Sequence, residues 1–334
     1  MCQMITDNIY SIYIELPDSP LKNLYAYLVK GEDRNLLIDT GVDNPICHEM
    51  LENALRELHV DMNQTDIFLT HFHHDHIGLV PRVATENTKV FMGWKDVARQ
   101  LNVCQPYINQ ITRNELRLAG FPEHEINQSP LIMKDDYFDN PFVKYTAIDE
   151  GTQFHYGGYQ FTAIAVPGHS PGQMCLYEKE HKILFAGDHV LFHITPNISR
   201  WSGVDDSLGD YIGSLLKIRD FEVDYLLPSH REVEGTLAER VDEIIEHHGV
   251  RVRETLDVLE QCPGISAYDI AGRMTWNIRH DGDWSQFPVA QKTFAVNEIC
   301  AHLDYLVKRN RAMKKQIGVV EFYYPIRITK RASS

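Results

Sequence analysis

The chain has 334 residues, of which 43% are hydrophobic, and its formal net charge at pH 7 is −15. This is enough for one large hydrophobic core and a smaller second domain. No apolar run reaches transmembrane length and the first residues lack a signal-peptide pattern, so we expect neither a membrane span nor secretion.

The charge is unevenly distributed. Residues 261–334 carry a net charge of +5, whereas the rest of the chain carries −20. An acidic main body does not attract polyanions through its long-range field, and the basic tail is best explained as a solvated surface.

Six cysteines are far apart in the sequence, and no pair has the Cys-x-x-Cys spacing; they are Cys2, Cys47, Cys104, Cys175, Cys262 and Cys300. This pattern predicts reduced, mostly buried thiols and a cytoplasmic protein.

The sequence pattern of the first half of the chain predicts strands with turns between them. "YAYLVKG" and "NLLIDTG" (residues 25–31 and 35–41) predict a hairpin, and residues 45–58 have helical spacing. "DIFLT" (residues 66–70) predicts a buried strand, and His71 follows it at once.

The same arrangement recurs three times. "FTAIAVPG" precedes His169, "KILFAG" precedes Asp188 and "VDYLLPS" precedes His230. Loop residues at the carboxyl ends of strands gather in one cleft of a layered α/β protein. We therefore expect these residues and His71 to meet at one edge of the fold.

Two segments look like insertions into this scheme. Residues 94–128 have a helical pattern, whereas residues 193–213 predict mostly loop. They either form the wall of a pocket or are ordinary insertions at the surface. Arg200, Trp201 and Tyr211 in the second segment contact substrate or simply anchor the loop.

The pattern changes near Gly235. A long amphipathic helix is predicted over residues 236–262, with Leu237, Val241, Ile244, Ile245, Leu256 and Leu259 along one face. Two further helices (residues 266–274 and 289–310) and a hairpin around Gly318 follow, which is the element order of a winged helix. We therefore divide the chain into domains 1–236 and 237–334.

The stretch "HFHHDH" (residues 71–76) places four histidines and one aspartate in six positions. Such crowding is costly unless a metal or a charge network compensates for the desolvation. Four ligands from this stretch, with His169, Asp188 and His230, make seven, which suits two metals sharing one carboxylate. Metal-bound hydroxide would then serve hydrolysis.

The motifs "THFHHDHIG", "PGHSPG", "AGDH" and "LPSH", in this order, resemble the metallo-β-lactamase superfamily over residues 1–235. The resemblance implies an α/β fold, a four-layer αββα sandwich. It implies that His71, His73 and His169 bind one metal, that Asp75, His76 and His230 bind the other, and that Asp188 bridges. Asp75 would also orient or deprotonate the attacking water, and Asp39 would support the ligands. His74 is expected to be solvated.

Departures from related families narrow the function. True β-lactamases of the superfamily generally carry Cys where this chain has Asp188, and flavodiiron proteins usually carry Glu where it has His73. Glyoxalase II-like relatives often have His at the position of Gln173. We expect a hydrolase of a small ester or thioester that binds two divalent ions, because the seven ligands suit hydrolysis and the acidic main body and the lack of an RNA-stacking motif disfavour RNA. Zinc is the first choice, and iron and manganese also suit the ligands.

The C-terminal part resembles the mainly helical winged-helix tail of β-lactamase-like protein 2 relatives over residues 237–330. This resemblance and five basic residues near the hairpin (Lys308, Arg309, Arg311, Lys314 and Lys315) leave a single-strand endoribonuclease as the alternative function. A DNA-binding regulator is disfavoured because residues 291–309 are mostly apolar and acidic. The resemblance also makes a homodimer plausible.

Overall fold

The computed structural model describes residues 2–17, 19–101, 105–132, 143–276 and 283–327. They form two compact units, each built from three segments of the chain. The first unit comprises Met1–Asn102, Tyr137–Pro196 and Gly213–Asp242, and the second comprises Val103–Asp136, Asn197–Ile212 and Glu243–Ser334. The division between residues 236 and 237 stays a prediction, and Cys104 lies outside the described residues.

The fold is mixed α/β. The strands are β1 (Cys2–Thr6), β2 (Ile9–Glu15), β3 (Asn23–Val29), β4 (Asn35–Ile38), β5 (Thr65–Leu69), β6 (Val90–Gly93), β7 (Tyr145–Ile148), β8 (Gln153–Tyr156), β9 (Tyr159–Ala165), β10 (Met174–Glu178), β11 (Ile183–Gly187), β12 (Tyr225–Pro228), β13 (Ala312–Ile317) and β14 (Val320–Pro325). The helices are α1 (Pro45–Glu57), α2 (His74–Ile77), α3 (Val80–Val83), α4 (Trp94–Leu101), α5 (Gln105–Ala119), α6 (Glu123–Ile126), α7 (Ser207–Ile218), α8 (Leu237–Gln261), α9 (Ala267–Ala271) and α10 (Val289–Lys308). Among these, no helix is both long and apolar enough to cross a bilayer.

The first unit contains two sheets. The larger sheet has the order β1-β2-β3-β4-β5-β6-β7; neighbours are antiparallel up to β4 and parallel from β4 onwards. The smaller sheet has the order β12-β11-β10-β9-β8, with only β11 and β12 pairing in parallel. The predicted hairpin is confirmed, because β3 and β4 pair antiparallel with Leu28 opposite Leu37.

An apolar core joins residues of the two sheets. Phe68 of the larger sheet packs edge-to-face on Phe154 of the smaller one, with ring centroids 5.6 Å apart. Tyr27 packs on Phe185 in the same way at 5.3 Å, and its hydroxyl donates to the Pro228 carbonyl at 2.6 Å. Such edge-to-face pairs add about 0.5–1.5 kcal/mol each beyond the area that they bury.

The other face of the larger sheet is covered by α1. Leu51 and Leu55, one helical turn apart, lie in the same core cluster as Ile12 and Leu28. The helix begins at Pro45, and the side chain of Asn44 accepts from the Ile46 amide at 2.8 Å. The local sequence therefore fixes both the start of this helix and its buried face.

The second unit is mainly helical and ends in a hairpin. Strands β13 and β14 pair around Gly318, as predicted, and α8, α9 and α10 precede them in the expected order. A core cluster includes Leu259 of α8, Ile270 of α9 and Ile299 of α10. Whether this arrangement is a winged helix stays a prediction.

Residues 193–213 are mostly loop, as predicted, but the last of them belong to α7, which begins at Ser207. The carboxylate of Asp206 accepts from the Gly209 amide at 2.8 Å, which is the usual contact of an N-cap aspartate. An aspartate directly before the first helical residue is the local sequence signal for this helix start.

A buried ion pair in the second unit gives a test of its stability. Lys292 is 2% exposed, and its Nζ lies 2.5 Å from Oε1 of Glu125. We expect Glu125→Gln to lower the free energy of unfolding by about 3–5 kcal/mol, because it leaves a buried ammonium without its counter-charge. Urea denaturation measures the change.

Glu123→Gln is the matched control, since Glu123 lies on the same short helix and pairs with Arg117 at the surface. Exposed pairs of this kind contribute little. Equal losses for the two variants would contradict the importance of the buried pair.

Candidate metal centre

The strand ends bring the predicted site residues together. His71 follows β5, His169 lies in the loop after β9, Asp188 follows β11 and His230 lies two residues after β12. Because β9, β11 and β12 run in the same direction, their carboxyl ends lie at one edge of the smaller sheet. His71 lies near His169, and Asp188 lies near His169 and His230, so the residues that follow these strands come together.

Three imidazoles form the first group. One ring nitrogen from each of His71, His73 and His169 lies within 4.8 Å of the others. His71 Nε2 and His73 Nδ1 are 2.9 Å apart, and the His169 ring is 4.6 Å from the His73 ring between centroids. Three nitrogens at this spacing can converge on one divalent cation.

Two carboxylates and two imidazoles form the second group, which comprises Asp75, His76, Asp188 and His230. His230 Nε2 lies 3.2 Å from Asp75 Oδ2 and 3.3 Å from Asp188 Oδ1. The second oxygen of Asp188, Oδ2, lies 3.6 Å from His169 Nε2 of the first group. Asp188 thus presents one oxygen to each group.

The backbone fixes which nitrogen of His230 faces the centre. His230 Nδ1 lies 2.6 Å from the carbonyl oxygen of Asn23. A carbonyl only accepts, so Nδ1 carries the proton and donates. In the neutral ring, Nε2 then offers a lone pair to the second group, the arrangement usual for a metal-binding imidazole.

Asp39 does the same for His76. Its Oδ2 lies 2.7 Å from His76 Nδ1, so His76 Nε2 faces Asp188. The same carboxylate accepts from the amide of Thr70 at 2.9 Å and from its hydroxyl at 2.8 Å, and from the Ser229 hydroxyl at 3.3 Å. Asp39 adopts φ +58°, a conformation uncommon for a residue other than glycine. The support role expected of Asp39 therefore has a direct geometric basis.

Sequence reasoning missed the residue that holds the His169 loop. Asp96 on α4 is fully buried and accepts from Ser170 Oγ and the Gly172 amide, both at 2.6 Å. A Cβ on Gly172 would lie 2.5 Å from the Asp96 amide nitrogen, so this close approach requires glycine. Burial raises the pKa of Asp96 to about 6. No motif marks Asp96 in the sequence, because Ser170 and Gly172 are more than 70 residues away.

Electrostatics differ between the two groups. Burial and, after it, the neighbouring imidazoles lower the pKa of His71 well below its usual range and that of His73 to about 3. Burial also opposes charge on His76, but the carboxylates of Asp39, Asp75 and Asp188 outweigh it and raise its pKa. His71 and His73 are therefore neutral imidazoles, the form that binds metals.

The residues present fit a metal centre. His76 Nε2, His230 Nε2 and Asp188 Oδ1 are buried and make no hydrogen bond within the described part of the chain. Such groups are costly to bury unless a partner satisfies them. Two groups of ligand atoms, with Asp188 between them, would find that partner in divalent cations.

The remaining predicted residues lie outside these groups. His74 is exposed at the start of α2, as expected for a solvated residue. Arg200 donates to Asp304, Glu321 and Tyr323 within the second unit, which favours the anchoring alternative over substrate contact. Tyr211 is fully buried there and packs edge-to-face on His248.

Comparisons with known proteins agree with this geometry. Residues 22–230 match the family model described as the metallo-beta-lactamase superfamily. A beta-lactamase-like protein 2 homolog from Caenorhabditis elegans is 27% identical over 290 residues, which is 86% of this chain and 80% of that protein. The lactamase-like protein adaB of Aspergillus niger is 27% identical over 241 residues, which is 72% of this chain, and the chain spans 60% of its length.

Solved structures show the same fold. A metallo-beta-lactamase family protein from Thermus thermophilus superposes with a TM-score of 0.79 at 22% identity, covering 97% of this chain and 100% of that one. A beta-lactamase domain protein from Burkholderia ambifaria gives 0.83 at 19% identity, covering 97% and 94%. Since the family model matches more than half of its residues, the chain belongs to the metallo-β-lactamase superfamily.

Proposed function

We propose that this chain is a binuclear metal-dependent hydrolase of a small ester or thioester. The observation that carries the proposal is the meeting of seven ligand residues in two groups, with Asp188 presenting one oxygen to each. His71, His73 and His169 would hold one ion, Asp75, His76 and His230 the other, and Asp188 would bridge. Zinc suits this mixture of imidazole and carboxylate.

Bound divalent cations would supply a water of lowered pKa and would polarise the substrate carbonyl. The protein's own residues then do the positioning. The Asp75 side chain is 18% exposed, against 7% for Asp188, and so has the better access to a water in the cleft. Asp75 would accept a hydrogen bond from that water, orient it and take its proton.

The placement of basic residues in the second unit favours a small substrate. Lys308 pairs with Asp205 at 3.3 Å, Arg309 with Asp206 at 2.6 Å, and Lys314 with Glu321 at 3.2 Å. Nucleic-acid affinity comes largely from cations that replace counterions on phosphates. Cations already paired with carboxylates contribute less to such binding.

The single-strand endoribonuclease stays the second candidate. The exposed Arg311 and Lys315 make no ion pair within the described residues, so the second unit retains two cations near its hairpin. RNA cleavage with affinity that falls as salt rises would favour this reaction over ester hydrolysis.

A homodimer and a cytoplasmic location also stay predictions.

The catalytic role of Asp75 can be tested against its neighbour. We expect Asp75→Ala to reduce hydrolysis of the best thioester or lactone in a substrate panel by at least about 10²-fold, as for loss of a general base. His74→Ala should leave the rate unchanged, because His74 is the exposed residue beside it. Rates of the metal-loaded proteins are the measurement, and similar rates for both variants would argue against the proposed role.

The support of His76 by Asp39 gives a prediction about metal affinity. We expect Asp39→Asn to weaken retention of one ion about 10–100-fold, since partners of ligand imidazoles typically contribute that much. Asp43→Asn is the control, because Asp43 lies nearby in the sequence but pairs with Arg82 at the surface. Competition with a chelator, followed by metal analysis, measures the difference. Equal retention by the two variants would show that Asp39 does not tune the centre.

A further inference from the structure

A third cluster of metal-ligand side chains lies in the second unit. His247 and His248 of α8 and Glu298 of α10 each offer a ligand atom, and these atoms all lie within 4.8 Å of one another. All three residues belong to the second unit, so none of them takes part in the centre described above. The cluster joins two helices that are far apart in the sequence.

A chain of hydrogen bonds sets the orientation of His248. His302 Nδ1 lies 2.6 Å from the carbonyl oxygen of Glu298, and a carbonyl only accepts, so this nitrogen carries the proton. His302 Nε2 then holds a lone pair and lies 3.4 Å from His248 Nδ1, which donates to it. In the neutral His248 ring, the remaining nitrogen, Nε2, is therefore an unprotonated acceptor.

That acceptor is buried and unsatisfied. His248 is 1% exposed, and its Nε2 has no hydrogen-bond partner in the described part of the chain. A buried polar atom without a partner is rare in folded proteins because leaving it unpaired costs free energy. Its membership of the cluster with Glu298 and His247 points to a cation as the missing partner.

The other two ligands are positioned differently. Glu298 is held by Asn197, whose Nδ2 donates to Oε2 at 3.3 Å, and Arg251 Nε lies 3.8 Å from Oε1. Arg251 also pairs with Glu254, so its charge is shared between two carboxylates. His247 is exposed, and its ring stands at 83° to that of His248 with 5.3 Å between centroids. The cluster thus has one fully buried ligand, His248, one partly buried ligand, Glu298, and one ligand at the surface, His247.

We propose that His247, His248 and Glu298 form a metal site separate from the centre in the first unit. This site binds a single divalent transition-metal ion of the zinc type. Two imidazoles and one carboxylate are a ligand set found for zinc, with a further position left for water. Magnesium and calcium prefer oxygen ligands, so the two imidazoles disfavour them. A bound ion links α8 to α10 and stabilises the second unit, because it binds the folded state alone. The proposal does not depend on the reaction at the first centre.

The test counts zinc in the full-length protein. After equilibrium dialysis against micromolar Zn²⁺, we expect the unmodified chain to retain one more ion than His247→Ala or Glu298→Gln. The comparison uses a difference between proteins, so it does not depend on how many ions the first unit holds. His124→Ala is the control, because His124 is an exposed histidine of the same unit outside the cluster, and it should retain the full number.

A second readout separates metal loss from misfolding. We expect added Zn²⁺ to raise the melting temperature of the unmodified chain and of His124→Ala beyond any rise in His247→Ala. Since His247 is exposed, its replacement should leave the melting temperature without zinc unchanged. Equal zinc content and equal thermal response in His247→Ala and His124→Ala would overturn the proposal.

Discussion

The carboxylate of Asp39 is the contact on which the candidate centre depends. It accepts from His76, from the amide and hydroxyl of Thr70 and from Ser229. Thr70 follows β5 of the larger sheet, and Ser229 follows β12 of the smaller one. It is 1% exposed, and such a buried charge is tolerated only when several donors surround it. The same donors fix the position of the residues that precede His71 and His230. One buried anion therefore aligns ligands of both groups.

The strand topology explains why a few supporting contacts are enough to position the ligand residues. The ligands follow strands whose backbone hydrogen bonds fix their ends, so each loop begins from a rigid position. The aromatic core between the sheets holds Phe68 against Phe154 and Tyr27 against Phe185, and it keeps the two sets of strand ends in register. Side chains supported by ordered strands need little reorganisation to bind an ion.

Sequence predicts most of what local chemistry determines. The apolar run before His71 and the helical spacing of residues 45–58 identify elements that the structure contains, because their signals lie within a few residues. The ligand residues were also visible, since histidines and an aspartate crowded at a strand end are costly to bury without a bound cation. Of the contacts that hold them, only the support by Asp39 is anticipated, through the family resemblance. Asp96 lies 74 residues from Ser170, and the His230 ring is fixed by the carbonyl of Asn23, which has no side-chain signature at all.

The same limit explains why the cluster on α8 and α10 was not predicted. "EHHG" in an amphipathic helix reads as a polar surface, and one of its two histidines is indeed exposed. What distinguishes His248 is burial beside His302 and Glu298, which only the packing of the two helices creates. In both units, one ring nitrogen of an imidazole donates a hydrogen bond to a backbone carbonyl, which fixes the tautomer of that ring. At the first centre this ring is His230, and its other nitrogen faces carboxylates directly. In the second unit the ring is His302, which in turn fixes the tautomer of His248. An imidazole of fixed tautomer in a cluster with a carboxylate is therefore the shared feature from which metal binding is inferred at each site.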